Sequence, residues 1–352
     1  MNKYIKDICR KIYEECDSSD FKDRTVLICG ANGLIGGFLA DFFHFLNQEY
    51  QYNTKLVLSS LSDKDKASRL KSILREDPKI KYLKKDLSIL QKWEELLDFN
   101  IDYCFFCSGY AQPAKFLAQP LKTILLNSNG VHNTFHSVFH NNKDAKCVYL
   151  SSSEVYAAST NSSSHKEDDN IVVSMKNKRN PYILGKLAGE TVVNAFRSLG
   201  RKTVSVRVSL CYGPGVSSGD NRVMSELARK GLSQSENVNL FDDGSAARRY
   251  THISDFVKML LNITLFGTQP VYNVGGEEET TIYNMATHIA QYYNKSVKKG
   301  QVGNSVAKTA PKKVWVSMKR YKEEFGDLEQ TPFKKGLLQF LEWYEGELKN
   351  ED

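Results

Sequence analysis

Through the first two-thirds of the chain, short apolar runs alternate with stretches in which apolar residues recur every three or four positions. The runs Arg24–Gly30, Lys55–Ser59, Ile80–Leu83, Ile101–Cys107, Cys147–Ser151 and Thr203–Val208 read as buried strands. Between them, the spacing predicts helices over Leu34–Asn47, Ser62–Arg75, Leu87–Leu97, Thr123–Phe139 and Tyr182–Leu199. Strands alternating with helices imply βαβ units, hence an α/β fold with a doubly wound parallel sheet. Past residue 210 the rhythm breaks into shorter, more polar segments, with turns at Gly213–Pro214, Ser217–Gly219 and Asp242–Ser245. This part is expected to form a smaller C-terminal substrate-binding lobe, with Pro270–Gly275 returning to the sheet and Pro332–Leu348 closing the chain as a helix. Ile5, Ile8, Ile12 and Tyr13 predict a helical extension at the start, and the polar stretch Ser159–Lys178 reads as a surface loop. The expected division is therefore residues 1–23 as extension, 24–210 as the sheet domain, and 211–352 as mainly the substrate lobe, with segments near 240–275 rejoining the sheet domain.

The composition fits a globular protein: of 352 residues, 41% are hydrophobic and 25% charged. Charges interrupt every apolar stretch before it reaches membrane-spanning length, and the first 23 residues lack an apolar leader run, so a cytoplasmic location without membrane contact is expected. The net charge of +7 is spread along the chain with no nucleic-acid motif beside it, which suits phosphate-bearing small ligands better than nucleic acid. Seven scattered cysteines read as reduced, mostly buried thiols. Cys104 and Cys107 form a C-x-x-C, but inside an apolar run and with no second pair, so no metal site is expected.

The chemistry begins at the end of the first strand. Gly30-Ala-Asn32-Gly33-Leu34-Ile35-Gly36 follows that strand directly and opens the first helix. Glycines there allow a sharp turn and close backbone approach to a pyrophosphate, which meets free N–H groups at the helix N-terminus. This context makes the sheet domain a Rossmann-type NAD site. The second strand ends in Ser59-Ser60, with neither the acid that favours NAD nor an arginine that favours NADP, so NADP is not excluded. Asp86, followed by Leu87, is placed after the third strand to accept from an adenine amino group or to cap a helix. Cys107, Ser108 and Gly109 end the fourth strand beside the same ligand.

Tyr182-Ile-Leu-Gly-Lys186 is a Y-x-x-x-K at a helix start, and its i, i+4 spacing puts both side chains on one face. A lysine ammonium beside a phenol favours the phenolate, which can take a proton from a sugar hydroxyl as hydride leaves carbon. Upstream, Ser151-Ser152-Ser153-Glu154-Val155-Tyr156 ends a buried strand at the edge where α/β folds bind ligands. Ser152 is placed there to hydrogen-bond the reacting oxygen.

These motifs, with Arg207, Tyr212-Gly213-Pro214, Arg248 ahead of Asp255, and Tyr272-Asn273-Val274-Gly275, resemble the extended short-chain dehydrogenase/reductase family of nucleotide-sugar epimerases, dehydratases and decarboxylases. The resemblance runs from about residue 24 to 345. It implies that Ser152, Tyr182 and Lys186 are catalytic and that Arg248 binds the substrate diphosphate. It also implies that Asn127 lies behind the active site and that Ser153, Tyr212 and Arg222 face the substrate. The expected partner is a nucleotide-diphosphate sugar, and the expected assembly a homodimer packed through the helices near 123–139 and 182–199. Dehydratases of this family carry an Asp-Glu pair where this chain has Ser153-Glu154, whereas Ser152-Ser153-Glu154-Val155-Tyr156 is similar to UDP-glucuronate decarboxylases. In that setting a C4 ketone makes the C5 carboxylate a β-keto acid, and Glu154 assists reprotonation. Decarboxylation or 4-epimerisation is the leading expectation. Dehydration, net C4 oxidation, or a non-catalytic dinucleotide-holding protein are the alternatives. Leu210, Ala157, Tyr250 and Arg249 depart from the family pattern and point away from the commonest UDP sugars.

Overall fold

The computed structural model describes residues 1–89, 93–157, 164–217, 219–300 and 315–351. Seven strands form one sheet: β1 (Thr25–Cys29), β2 (Lys55–Ser60), β3 (Lys81–Lys84), β4 (Tyr103–Phe106), β5 (Lys146–Ser152), β6 (Lys202–Val208) and, after three strands that lie outside it, Val271–Val274. Their order across the sheet is 3-2-1-4-5-6 with Val271–Val274 added beyond β6, and every neighbouring pair is parallel. This is the doubly wound arrangement that the alternation of runs predicts. β1, β4, β5 and the core of β6 are buried on both faces, as sheets covered by helices on both sides must be. The order reverses between β1 and β4, which opens a crevice at their carboxyl ends.

The first helix, α1 (Lys3–Glu15), buries Ile5, Ile8, Cys9 and Ile12, as its spacing predicts. It is tied down by a buried lysine, since Lys258 Nζ reaches Glu15 at 2.7 Å and Asp255 at 3.2 Å. Next comes α2 (Leu34–Tyr50), which opens directly on the glycine turn. The expected helix over 62–75 is instead two 3-10 turns, at residues 64–66 and 68–70, followed by the short α3 (Lys71–Glu76). Ala67, Leu70, Ile73 and Leu74 are buried at helical spacing, but i to i+3 bonds satisfy the same period, with Leu70 N–H donating to Ala67 O at 2.9 Å. The helix expected over 87–97 is also absent among the described residues, which hold only a 3-10 turn at Glu94–Leu96. Asp86 there closes a local turn on Ser88, which competes with helix initiation; residues 90–92 fall outside the described residues.

The predicted 123–139 helix is three pieces in line: α4 (Pro113–Ala118) precedes it, α5 (Pro120–Leu125) leads through one π turn at Leu126–Gly130, and α6 (Val131–Asn141) completes it. Beside them runs α7 (Asn180–Ser198). Gly189 lets α7 sit on Tyr149, because a Cβ there would lie 2.5 Å from that phenol. The polar loop expected over 159–178 has only its 164–178 part among the described residues, with a bridge from His165 to Val316.

Beyond residue 210 the structure is richer than its broken rhythm suggests. It holds β7 (Leu210–Tyr212), α8 (Val223–Leu232), β8 (Asn237–Asn239) and β9 (Ala247–His252). Then come α9 (Ile253–Phe266), β10 (Val271–Val274, the seventh sheet strand), β11 (Glu279–Thr281), α10 (Ile282–Tyr292), β12 (Ser296–Lys298), α11 (Lys319–Phe325) and α12 (Phe333–Glu351). The α9 helix is buried almost all round and packs on β5, β6 and β10. A helix with no polar face gives little amphipathic signal, which is why periodicity passes over it. Among the described residues no helix is long and apolar enough to cross a membrane.

Candidate active site

The glycine turn closes on itself. Gly30 has φ +78° and donates to Ser59 O at 2.8 Å, while Gly33 N–H donates to Gly30 O at 3.0 Å. A Cβ on Gly30 would lie 2.8 Å from Ser108 Cα, and one on Gly36 would lie 2.5 Å from Gly30 O. Both glycines are therefore required by the chain's own packing. Gly33 is different: only Gly30 O, at 3.3 Å, approaches its missing Cβ, and above it the turn is open. Leu34 and Ile35 begin α2 just behind. The Asn32 side chain accepts from the Arg69 N–H at 3.2 Å and fixes the turn from outside.

At the tip of β2, Ser59 Oγ is fully buried and has no hydrogen-bond partner among the described residues, and Ser60 Oγ accepts from Ser62 N–H at 3.3 Å. Asp86 takes both Ser88 donors, N–H at 3.0 Å and hydroxyl at 2.5 Å, with Lys122 Nζ at 3.4 Å. Burial pulls that carboxyl up, but the Ser88 bonds and Lys122 outweigh it and hold it below the ordinary carboxylate range. Leu87 is buried, with its carbonyl against Gly130. Beyond β4, Gly109 approaches Lys186 so closely that a Cβ would sit 3.3 Å from its Nζ, and burial pushes the neighbouring Cys107 thiol up. The turn of β1, the tip of β4 and the α7 lysine thus meet in one crevice. Asn127, in the π turn, accepts from the Tyr149 hydroxyl at 2.9 Å and lies behind that crevice.

Ser152 is the last residue of β5; its hydroxyl accepts from Glu154 N–H at 3.2 Å and favours the ionised Tyr182 phenol. Tyr182 is buried, which pushes its phenol up to about 12; Ser152, Arg179 and Arg222 work against that push, and the Glu154 charge adds to it. Lys186 is also buried, and desolvation drops its ammonium to about 7 despite Cys107 and Glu190. Its Nζ donates to Leu150 O at 2.7 Å and lies 5.8 Å from the Tyr182 ring centroid. The strand end that carries Ser152 thus lies beside the α7 helix that carries Tyr182 and Lys186.

Glu154 is ion-paired with Arg179, a residue that no motif singled out. Glu190 is a second residue missed by sequence reading. It accepts the Ser151 hydroxyl at 2.5 Å and grips Arg207 through two contacts at 3.0 and 2.8 Å. Helical spacing held the signal, because residues 182, 186 and 190 share one face of α7. Of the expected substrate contacts, Ser153 sits in the 3-10 turn after β5. Arg222 immediately precedes α8 and is held by Asp220 at 2.6 Å, within electrostatic reach of Tyr182. Arg248 lies mid-strand in β9, its Nη1 donating to Ala247 O at 2.7 Å. Tyr212 departs from expectation: it is buried against Tyr250, His252 and Phe333, and its hydroxyl donates to Phe333 O at 3.3 Å. Its size and apolar ring suit packing there, where no sugar hydroxyl is needed to satisfy it.

Cys104 packs with Cys29 and Cys147 in one core cluster, and Cys107 packs against another. Among the described residues no group of three metal-type side chains converges.

The family model for the NAD dependent epimerase/dehydratase family matches residues 26–275. The chain belongs to this family. A dTDP-4-dehydro-6-deoxy-D-allose reductase of Streptomyces bikiniensis is 25% identical over 335 residues, covering 91% of this chain and 96% of the relative. UDP-glucuronic acid decarboxylase 3 of Arabidopsis thaliana is 24% identical over 315 residues, covering 89% and 86%. The crystal structure of a dTDP-glucose 4,6-dehydratase from Bacillus anthracis in complex with NAD superposes with a TM-score of 0.73 at 19% identity, covering 93% of this chain and 98% of that one, and shares the fold. As a member of this family of nucleotide-sugar-modifying enzymes the protein is NAD-dependent. The residues present fit NAD: the turn is open above Gly33, and Ser59 offers a buried hydroxyl with no partner among the described residues.

Proposed function

We propose that the protein oxidises C4 of a nucleotide-diphosphate hexuronate and that the resulting 4-keto acid loses CO2, as in UDP-glucuronate decarboxylation, with 4-epimerisation as the outcome when the ketone is reduced before the carboxylate leaves. One observation carries the reading: Ser152 at the end of β5, with Glu154 two residues on, stands beside the Tyr182/Lys186 pair of α7, where Lys186 Nζ lies 5.8 Å from the Tyr182 ring. A carboxylate held beside the proton-transfer group suits the return of a proton to C5 once CO2 has left.

In this reading Gly30, Asn32, Gly33, Leu34, Ile35 and Gly36 form the diphosphate turn. Ser59, Ser60, Asp86 and Leu87 flank the adenosine, and Cys107, Ser108, Gly109 and Asn127 line the inner wall. NAD, when bound there, supplies the hydride acceptor. Tyr182 takes the C4 hydroxyl proton, Ser152 holds that oxygen, and Lys186 stabilises the phenolate. Glu154 handles the proton at C5 after CO2 departs. Ser153, Arg222 and Arg248 contact the sugar nucleotide, in a lobe built mainly from residue 211 onward. Two copies would pack through α5, α6 and α7, where Leu121 is 74% exposed and Leu125 39%.

A second reading is net reduction of a 4-keto sugar, consuming NADH. It is favoured by the reductase relative that matches along nearly the full length of both chains. Incubation with UDP-glucuronic acid, UDP-glucose and a 4-keto-6-deoxy dTDP sugar, followed by mass spectrometry, separates the outcomes. Loss of CO2 supports the proposal, a mass gain of two hydrogens with loss of NADH absorbance supports reduction, and loss of water would overturn both.

A further inference from the structure

Between Glu154 and Tyr182 the chain builds a layered stack. The Arg179 guanidinium is ion-paired with Glu154 on one side and lies 4.9 Å from the Phe116 ring centroid on the other. Phe116 in turn stacks on Tyr182, with centroids 4.7 Å apart and planes 18° from parallel. Phe116 is only 1% exposed, yet among the described residues it belongs to none of the three hydrophobic core clusters. Its burial is spent on the site. It comes from the six-residue α4, whose place after β4 has no other evident use in the sheet core. Arg179 is itself anchored, since its N–H donates to Asn177 at 3.0 Å and its carbonyl accepts from Tyr182 N–H at 3.0 Å.

We propose that Arg179 is a positioning residue for the Ser152–Tyr182–Lys186 site: through Phe116 it fixes the phenol ring, and through Glu154 it cancels the carboxylate charge that would otherwise oppose the phenolate. The statement about turnover rests on the reading of Tyr182 as the proton acceptor; the statement about the ring does not. A guanidinium over a ring face is attractive, and the ring it holds stacks on the tyrosine. Arginine suits this place better than lysine because one planar group can pair with a carboxylate and stack at once.

The test combines a substrate-free readout with kinetics. The protein is labelled with 3-fluorotyrosine, and the Tyr182 signal is assigned by its loss in Tyr182→Phe. Arg179→Met and Phe116→Leu should each displace that signal in 19F spectra of the folded protein, and Arg179→Lys, which keeps the charge but not the plane, should restore only part of it. With UDP-glucuronic acid, Arg179→Met should lower kcat about 10- to 100-fold, with KM changed less than about threefold. A Tyr182 signal unmoved by Arg179→Met, or by Phe116→Leu where the first variant fails to fold, overturns the proposal. So does a raised KM with kcat intact, which would make Arg179 a substrate anchor. If the parent turns over no nucleotide sugar, the proposed function fails while the fluorine spectra still decide the stack.

Discussion

Lys186 donates its ammonium to the main-chain carbonyl of Leu150 at 2.7 Å, so the lysine is aimed by the end of β5 as well as by its own helix. That geometry places it under Gly109 and within 5.8 Å of the Tyr182 ring. It also buries a charged group, and burial lowers its pKa from 10.5 to about 7. The unfolded chain keeps the proton up to about 10.5, whereas the folded site releases it near 7. Between those values unfolding takes up a proton, so this group's penalty is full below pH 7 and fades as pH rises toward 10.5. Lys186→Met should therefore raise Tm at pH 6 by roughly 2 °C or more, with the gain shrinking above pH 7, while turnover falls about 10²–10⁴-fold. Thermal melts of parent and variant across pH 6–10 check the first part, and kinetics the second. A variant less stable than the parent at pH 6 would mean the buried ammonium contributes more to the fold than its desolvation costs.

Tyr182→Phe isolates the hydroxyl. The ring that stacks on Phe116 is retained, so Tm should stay within about 2 °C, while kcat falls about 10²–10⁴-fold. Calorimetric titration with NAD should show affinity within about threefold of the parent. A fully active Tyr182→Phe protein would remove the phenol from the chemistry and favour a protein that only holds the dinucleotide.

The seven-stranded parallel sheet and the Ser152–Tyr182–Lys186 grouping were legible because each depends on local pattern: an apolar run, a glycine turn, a four-residue helical step. What was not legible depends on long-range partners. Arg179 looks like one more basic residue in Lys176-Asn-Lys178-Arg179, and only the fold brings it to Glu154, 25 positions away. Phe116 carries no motif at all. Tyr212 was read from its neighbourhood in a family pattern, but packing against Phe333, 121 residues later, decides where its hydroxyl goes. The helices misread over 62–75 and 87–97 show the limit of periodicity. Short 3-10 turns bury residues three apart as well as a helix does, and an Asp-x-Ser turn at Asp86 diverts the backbone first.

Arg207 and Glu190 form a two-point ion pair that also holds Ser151 and, through Arg207 Nη1 at 2.6 Å, the Tyr156 hydroxyl. Arg207 is 5% exposed, so removing one partner strands a charge. Arg207→Met should cost about 3–5 kcal/mol in urea denaturation, and Arg207→Met/Glu190→Leu should recover much of it. The pair braces the strand end that carries Ser152, so the single variant should also lose activity beyond its loss of folded protein. Full stability in Arg207→Met would place the strength of this corner elsewhere.

Gly36 and Gly33 stand three residues apart in the same turn and should behave differently. At Gly36 a Cβ would press on Gly30 O at 2.5 Å, against backbone that cannot yield without opening the turn. Gly36→Ala should therefore lower Tm sharply, with a cost in the 1–3 kcal/mol range of overpacking or above. At Gly33 the backbone has φ −88°, which alanine adopts freely, and the nearest atom to a new Cβ is 3.3 Å away. Gly33→Ala should keep its Tm within about 2 °C of the parent. What the added methyl does occupy is the open side of the turn, where a diphosphate would approach the N-terminus of α2. Its NAD affinity should fall by about tenfold or more, near the 1.4 kcal/mol that a blocked backbone contact represents. Calorimetry on the two variants side by side checks the contrast. Parent-like NAD binding by a folded Gly33→Ala protein would mean that the pyrophosphate does not lie over this glycine.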